Sequence, residues 1–448
     1  MSRLLPLLPA ALFSLLLAAA WPGYLSFDSA LQFWQARHGT FFDIAPPLLP
    51  ALWWLGLQAG LPATTTPLLL IGLTYACGFA LLVRQAQRSG QGRLAWLLAG
   101  CGPLCPLLVL LLAQIWTDVL LAGALLLLAA LIAGASRAGP VRWLLVFGTG
   151  LLACGLRHNS VLAVLPLLLW AVWRWAPPQL RPAGRLSIGL MLTGLLWLGK
   201  QGLAGALVEQ PLDTWAIVPL HDLQAVSVAT RTQRLPASVV GPGMDVAQLE
   251  RAFHPYSVTS LFAHTTSGVS DPTVGPLNEG QRADLLAAWR ALPLDAAWWQ
   301  HRWRMFRGLL GSHRAVQLQG LADSPGLASF RDNPPLERAW PDGHGRYRAV
   351  LDALRQSWAY AAGAYLALGL LGGGVLWRRR SRLPAPWPAL GAALLASAWL
   401  YTLPYFLIAP SAETRYVLWP ALAGWIVLGL GLGLATRAAA QTPRSAPA

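Results

Sequence analysis

Residues 47–59, PLLPALWWLGLQA, decide how this chain threads a membrane, because they are apolar yet only 13 residues long. At 1.5 Å per residue such a helix covers about 20 Å, roughly two-thirds of a bilayer's hydrocarbon core. Counting it as a crossing would move every later loop to the opposite face. The arginines decide against that. The segment therefore reads as a helix lying in or dipping into the outer interface, opened by Ala45-Pro46-Pro47, where proline suits a helix start and extends the residue before it.

Around it the sequence is that of a polytopic membrane protein. Hydrophobic residues make up 55% of the 448 and charged residues 11%, and apolar runs of bilayer length recur. We expect ten spans, at 4–20, 66–83, 94–112, 119–134, 142–156, 160–173, 186–206, 358–377, 388–408 and 416–436. MSRLLPLLPAALFSLLLAAA has a signal-peptide pattern, but it reads as a retained first span because so many more follow. Cytoplasmic loops carry an excess of basic residues. With both termini cytoplasmic, the inner segments collect 15 arginines, from Arg3 through Arg84, Arg137, Arg174 and Arg378 to Arg444, and no acids.

The net charge of +15 is mostly this inner-face arginine excess, so it points to the lipid bilayer and to no nucleic acid. Lys200 is the single lysine against 32 arginines, which together with the Ala, Leu, Gly and Pro load suggests a GC-rich bacterial genome and a bacterial inner (cytoplasmic) membrane. Cys77, Cys101, Cys105 and Cys154 all fall in spans and read as packing residues. The domain plan is a membrane module over 1–206 with an outer first loop at 21–65, an extracytoplasmic domain over 207–357, membrane helices over 358–437 and a cytoplasmic tail over 438–448. Between 207 and 357 the chain turns polar, with 14 acids and 14 arginines. Helices are expected at 281–291, opened by Asn278 with Gln281 as a capping box, and at 295–311. In the second, Trp299, Trp303, Phe306 and Leu310 share a face while Arg302, Arg304 and Arg307 lie off it, so it is either a helix resting on the membrane surface or an ordinary domain helix. Segment 321–348, rich in Gly, Pro and Asp, reads as loop.

Of the 18 acids, 14 fall between Glu209 and Asp352. That leaves Asp28, Asp43, Asp118 and Glu413 for the apolar remainder, and an acid in or beside a span needs a pairing or functional reason. All four fall on the outer side. In WPGYLSFDSALQFWQARHG (21–39), Asp28, Gln32 and Gln35 recur at helical spacing and line one face. Asp28 can act there as a proton acceptor or simply cap the helix. Asp118 stands where the third span hands over to the fourth. Arg157, His158 and Asn159 form a polar triplet between two spans, and Arg157 suits bidentate phosphate binding. Glu413, Arg415 and Tyr416 lead into the last span from outside, where Glu413 and Arg415 can neutralise each other.

In FDSALQFWQARHGTFFDIAPPLLPALW (27–53) an acid opens the outer first loop and Pro-Pro-Leu follows about twenty residues later. Together with SAETRYVLWP (411–420) and the outer polar domain, this plan resembles the GT-C class of integral-membrane glycosyltransferases. It is similar to a bacterial branch with Asp-Ser in the first loop and an Arg-His-Asn motif, related to the protein mannosyltransferase and aminoarabinose transferase type. Ala45 stands where relatives carry a basic residue before Pro-Pro. The resemblance implies an all-α polytopic fold with a mainly helical outer-face domain. It also implies inverting transfer of a sugar from a polyprenyl-phosphate-linked donor to a hydroxyl on a glycan, lipid or protein acceptor. Asp28 would be the general base, with Gln32, Asp118, Arg157, His158, Asn159, Glu413, Arg415 and Tyr416 binding substrate. Some relatives use a divalent cation; Asp28, Asp118 and Glu413 are the acids that would hold one, though their spacing does not demand it. A carrier or flippase would instead show paired broken helices and mid-membrane charges; the sequence shows neither, with only Lys200 inside a span and near its outer end, and a non-catalytic protein that kept the fold is the third reading.

Overall fold

The computed structural model describes residues 2–241, 243–264, 268–313 and 331–440. The first half contains α1 (Leu8–Ala20), α2 (Phe27–His38), α3 (Leu48–Gln58), α4 (Thr65–Arg88), α5 (Gly92–Trp96) and α6 (Pro106–Leu111). After them come α7 (Thr117–Ala133), α8 (Pro140–Cys154), α9 (Val161–Trp175) and α10 (Pro182–Leu207). The polar stretch folds into α11 (Ile217–Thr230), α12 (Val246–Arg251), α13 (Thr259–His264), α14 (Glu279–Ala291) and α15 (Ala296–Arg307). The chain then continues through α16 (Pro341–Gln356), α17 (Ala362–Arg378), α18 (Pro386–Thr402), α19 (Tyr405–Ile408) and α20 (Leu418–Ala440). Among the described residues the only sheet is a parallel pair, β1 (Phe41–Phe42) with β2 (Val208–Gln210), which ties the first loop to the start of the polar domain.

Among the described residues, six helical stretches are long and apolar enough to cross a membrane: Arg3–Ala20, Thr65–Arg88, Gly92–Leu111, Pro182–Leu207, Pro386–Ile408 and Thr414–Leu434. The protein is thus an all-α membrane protein. The other expected spans fall on α7, α8, α9 and α17, whose 17, 15, 15 and 17 residues reach only about 22–26 Å. α7 is buried on nearly every face, which makes it the centre of the bundle. α17 and α20 meet so closely that a Cβ at Gly372 would lie 2.6 Å from Leu428 Cα, the small-residue contact that membrane helices use for close packing. α3, at 11 residues, is about 16 Å long and packs on α2 through Phe33 and Trp53, whose rings stack 5.0 Å apart.

The polar domain has its own core, built from Leu220, Leu223, Val226, Leu249, Leu261, Leu285 and Trp298. The expected capping box of α14 is present, with Asn278 accepting from Gln281 N and the Gln281 side chain accepting from Asn278 N. Two expectations need correction. Residues 341–348 are the first half of α16 rather than loop; residues 321–330 of that segment lie outside the described residues. Pro341, Gly343 and Gly345 disguise the helix, but proline is tolerated in a first turn. Tertiary contacts then outweigh the glycine penalty: Tyr347 donates to Val109 O at 2.8 Å, and Tyr24 and His344 are hydrogen bonded at 3.2 Å. Arg302, in turn, is no lipid-facing flank but is fully buried.

Candidate functional site

Three helix beginnings and one interhelical turn meet where the polar domain sits on the bundle. Tyr24 is the fixed point of the first loop: its N–H donates to Ala113 O and its carbonyl accepts from Ile115 N. This bridge turns at Gly23, whose φ of +88° suits glycine alone. It holds the start of α2 against the start of α7. Ser26, not Asp28, is the N-cap of α2, in a capping box with Ser29, and Trp116 Nε1 donates to Ser26 Oγ at 2.8 Å. Asp28 and Asp118 each occupy the second position of their helices, where the positive end of the helix dipole favours a carboxylate.

Arg415 lies between them. Its Nη1 is 2.6 Å from Asp28 Oδ2, its Nε pairs with Glu413 Oε2, and the same Nε lies 4.0 Å from Asp118 Oδ2. Arg157, from the turn between α8 and α9, completes the group, with its Nε 3.3 Å from Asp118 Oδ1. Tyr416 sits beneath both guanidiniums, at 4.6 Å from Arg157 and 5.3 Å from Arg415; a tyrosine face attracts cations. Tyr405 stacks on Tyr416 at 5.5 Å, and Trp116 faces Arg415 at 5.0 Å. Six expected residues therefore converge: Asp28, Asp118, Arg157, Glu413, Arg415 and Tyr416.

The charges do not cancel. Three carboxylates face two guanidiniums, and Asp118 is only 3% exposed, with neither oxygen making a well-aligned hydrogen bond. Burial lifts the Glu413 carboxyl above its ordinary value and Arg415 pulls it back; because 36% of the side chain stays accessible, solvent moderates the rise. Burial lowers Arg157, but Asp118 and the neighbouring tyrosines outweigh it, so the guanidinium stays charged. The nearby Asp28 and Asp118 carboxylates add to the rise. A resident divalent cation does not fit: Asp28 and Glu413 are both turned to Arg415, and no group of three or more His, Cys, Asp and Glu among the described residues is placed to hold a metal ion.

The other expected residues lie apart from these contacts. His158 is held down to about 4 by burial, with Lys200 and Arg157 adding to the effect and the Asp43 backbone opposing it. It is neutral at pH 7, and its carbonyl accepts from Lys200 Nζ at 3.4 Å. Asn159 Nδ2 and Gln32 Oε1 are buried without a hydrogen-bond partner among the described residues. Gln35, on the same stripe, accepts from Phe42 N at 2.9 Å, and Asp43 accepts from Leu212 N at 2.7 Å. Both work as braces.

Sequence reasoning misses Trp116 and Tyr405, and above all Asp222. Buried at 0% exposure, Asp222 accepts from Trp289 Nε1 at 2.8 Å, Trp298 Nε1 at 2.9 Å and Arg302 Nη2 at 2.5 Å. Arg302 Nη1 then donates to Ala409 O at 2.8 Å, just ahead of Glu413. The available signal was an acid inside an apolar helix, IVPLHDLQAVSV (217–228). No family model, no curated protein and no solved structure matches this chain.

Proposed function

We propose that this chain is a GT-C-type glycosyltransferase of a bacterial inner membrane, with ten crossings, both termini cytoplasmic and the charged cluster on the outer face. The orientation is supported by the 15 arginines and absent acids of the inner segments, and the ten crossings by six helical stretches of membrane length together with α7, α8, α9 and α17, on which the other four expected spans fall. One observation carries the reading. Asp28, Asp118, Arg157, Glu413, Arg415 and Tyr416, from four stretches far apart in sequence, converge at the seam between bundle and polar domain.

A carboxylate, two fixed guanidiniums and an aromatic floor suit transfer from a lipid phosphate. The acceptor hydroxyl gives its proton to Asp28 as its oxygen bonds to the anomeric carbon. The bond from that carbon to the phosphate oxygen breaks with inversion, and the electron pair leaves on the phosphate, where Arg157 and Arg415 meet the developing charge. Asp28 is the base rather than Asp118 because its side chain is 45% accessible against 2%, so an acceptor can reach it. Arg415 pairs with Asp28 before substrate arrives; a phosphate competes for that guanidinium and leaves the Asp28 carboxylate open to the acceptor hydroxyl.

The test is Asp28→Asn, assayed for transfer in membranes at matched protein levels, with surface glycans and lipid carriers compared by mass spectrometry. Because Ser26 caps α2, the cap survives the change, and transfer should fall by at least about a hundredfold. Full transfer by Asp28→Asn would refute the role of Asp28 as base.

A further inference from the structure

The sequence divides α15 into an apolar stripe and a basic flank, but the folded helix divides differently. Trp298, His301, Arg302, Met305 and Phe306 turn inward. Facing outward in one stripe are Trp299, Gln300, Trp303, Arg304 and Arg307. Trp299 is 46% exposed and Trp303 54%, so two large indoles stand open on the helix of a polar domain. They are held in place. Trp299 Nε1 donates to Pro293 O at 3.0 Å, and both rings pack on Phe406, with centroids 6.0 and 6.4 Å away.

Phe406 belongs to α19, which ends the apolar stretch Pro386–Ile408. Leu403, Leu407 and Ile408 around it are exposed at 52%, 44% and 40%. The apolar surface therefore runs from a membrane-length helix onto α15. A lone exposed apolar residue needs no explanation, but a patch continuous with the lipid face of a span has an evident covering. Tryptophan favours the bilayer interface, where its ring is buried and its N–H stays polar. Arg304, next to Trp303, and Arg307, one turn beyond it, can reach phosphates with their stems against lipid.

We propose that the polar domain is seated in the headgroup layer of the bilayer through Trp299 and Trp303, with Arg304 and Arg307 on lipid phosphates. The inference rests on α15 and α19 and is independent of the proposed reaction. It does fix a depth. The other face of α19 carries Tyr405, stacked on Tyr416 beneath Arg157. The guanidiniums then lie one short helix away from the headgroups, within reach of a lipid-borne phosphate that never leaves that layer.

A nitroxide label at position 303 (Trp303→Cys) tests this in proteoliposomes of phosphatidylethanolamine and phosphatidylglycerol, with Cys77, Cys101, Cys105 and Cys154 replaced by Ala. Val274→Cys supplies the control, since Val274 is an apolar residue of the same domain at 81% exposure and lies off α15. Collisions with oxygen, which concentrates in lipid, are compared with collisions with a water-soluble nickel chelate. The oxygen-to-nickel ratio should be several-fold higher at position 303 than at 274. Equal ratios would overturn the proposal, and so would a label shielded from both reagents, which would mean protein covers the patch. Wild-type protein with a lipid bearing a photoreactive group at headgroup depth gives a check free of labelling: the peptide containing Trp299 and Trp303 should be cross-linked, and its absence from the adducts would count equally against the seating.

Discussion

Replacing Arg302 with Met should destabilise the protein by about 3–5 kcal/mol, the range for breaking a buried ion pair by removing one partner. Asp222 and Arg302 are both at 0% exposure. Without Arg302, Asp222 keeps two neutral indole donors and His301, whose Nε2 lies 3.4 Å from Oδ1. Burial, with His221 and Arg302 nearby, holds His301 well below its usual value, so it offers no compensating charge. Asp222→Leu strands the opposite charge with a single carbonyl, Ala409 O, and should cost a similar amount. The double variant removes both charges, so its cost should fall well below the sum of the two, because the penalty lies mostly in the uncompensated charge. Urea unfolding of detergent-solubilised protein, followed by tryptophan fluorescence, measures all three; Trp289 and Trp298 bond directly to Asp222. A cost below about 1 kcal/mol for Arg302→Met would place the pair among ordinary surface contacts. Strict additivity in the double variant would show that the two charges do not depend on each other.

The polar domain should also lose stability in mild acid. Burial holds His221 down to about 4, with Arg302 and His254 adding to the effect and a hydrogen bond to the His254 carbonyl opposing it. The unfolded chain, at about 6.5, therefore takes up a proton first on acidification. The His221 contribution is complete above pH 7 and shrinks as pH falls through 6.5 towards 4, by about 2 kcal/mol at pH 5. His221→Gln should reduce the difference between the unfolding free energies at pH 7 and pH 5 by about that much; an unchanged difference would remove His221 as its source. Arg157→Lys keeps the charge but loses the planar fork and its stacking on Tyr416, so kcat/KM for a lipid-phosphate donor should drop about tenfold or more. Unchanged kcat/KM would mean that no bidentate phosphate contact forms there.

Membrane class and helix positions were legible because apolar runs and arginine asymmetry are local signals. The short 47–59 segment is a helix of 11 residues, and it was the arginine asymmetry that kept it out of the expected spans. Asp28, Asp118, Arg157 and Glu413 could be picked out because charge is scarce in apolar surroundings. The same logic failed in the polar domain, where Asp222 is one of 14 acids between Glu209 and Asp352 and its burial depends on partners as distant as Trp298 and Arg302. α16 was hidden for a related reason. Its glycines speak for loop, and the contacts that hold it include Tyr24 and Val109, each more than 200 positions away.

The cluster's composition and its location explain each other. Three carboxylates and two guanidiniums could not stand in hydrocarbon at bearable cost, and they do not have to. Arg415 and Tyr416 follow residues 409–412, which the polar domain grips: Arg302 bonds Ala409 O, Tyr256 O accepts from Ala412 N at 2.8 Å, and Ser411 Oγ accepts from Val258 N at 3.3 Å. That grip keeps the start of the last span under protein rather than lipid, while α2 and α7 bring their acids from the bundle side. Among the described residues the polar domain thus contributes no charge to the cluster yet sets its position. Its own buried pair, Asp222 with Arg302, lies at the point where that positioning begins, so loss of the pair should loosen Glu413 and Arg415 without touching either.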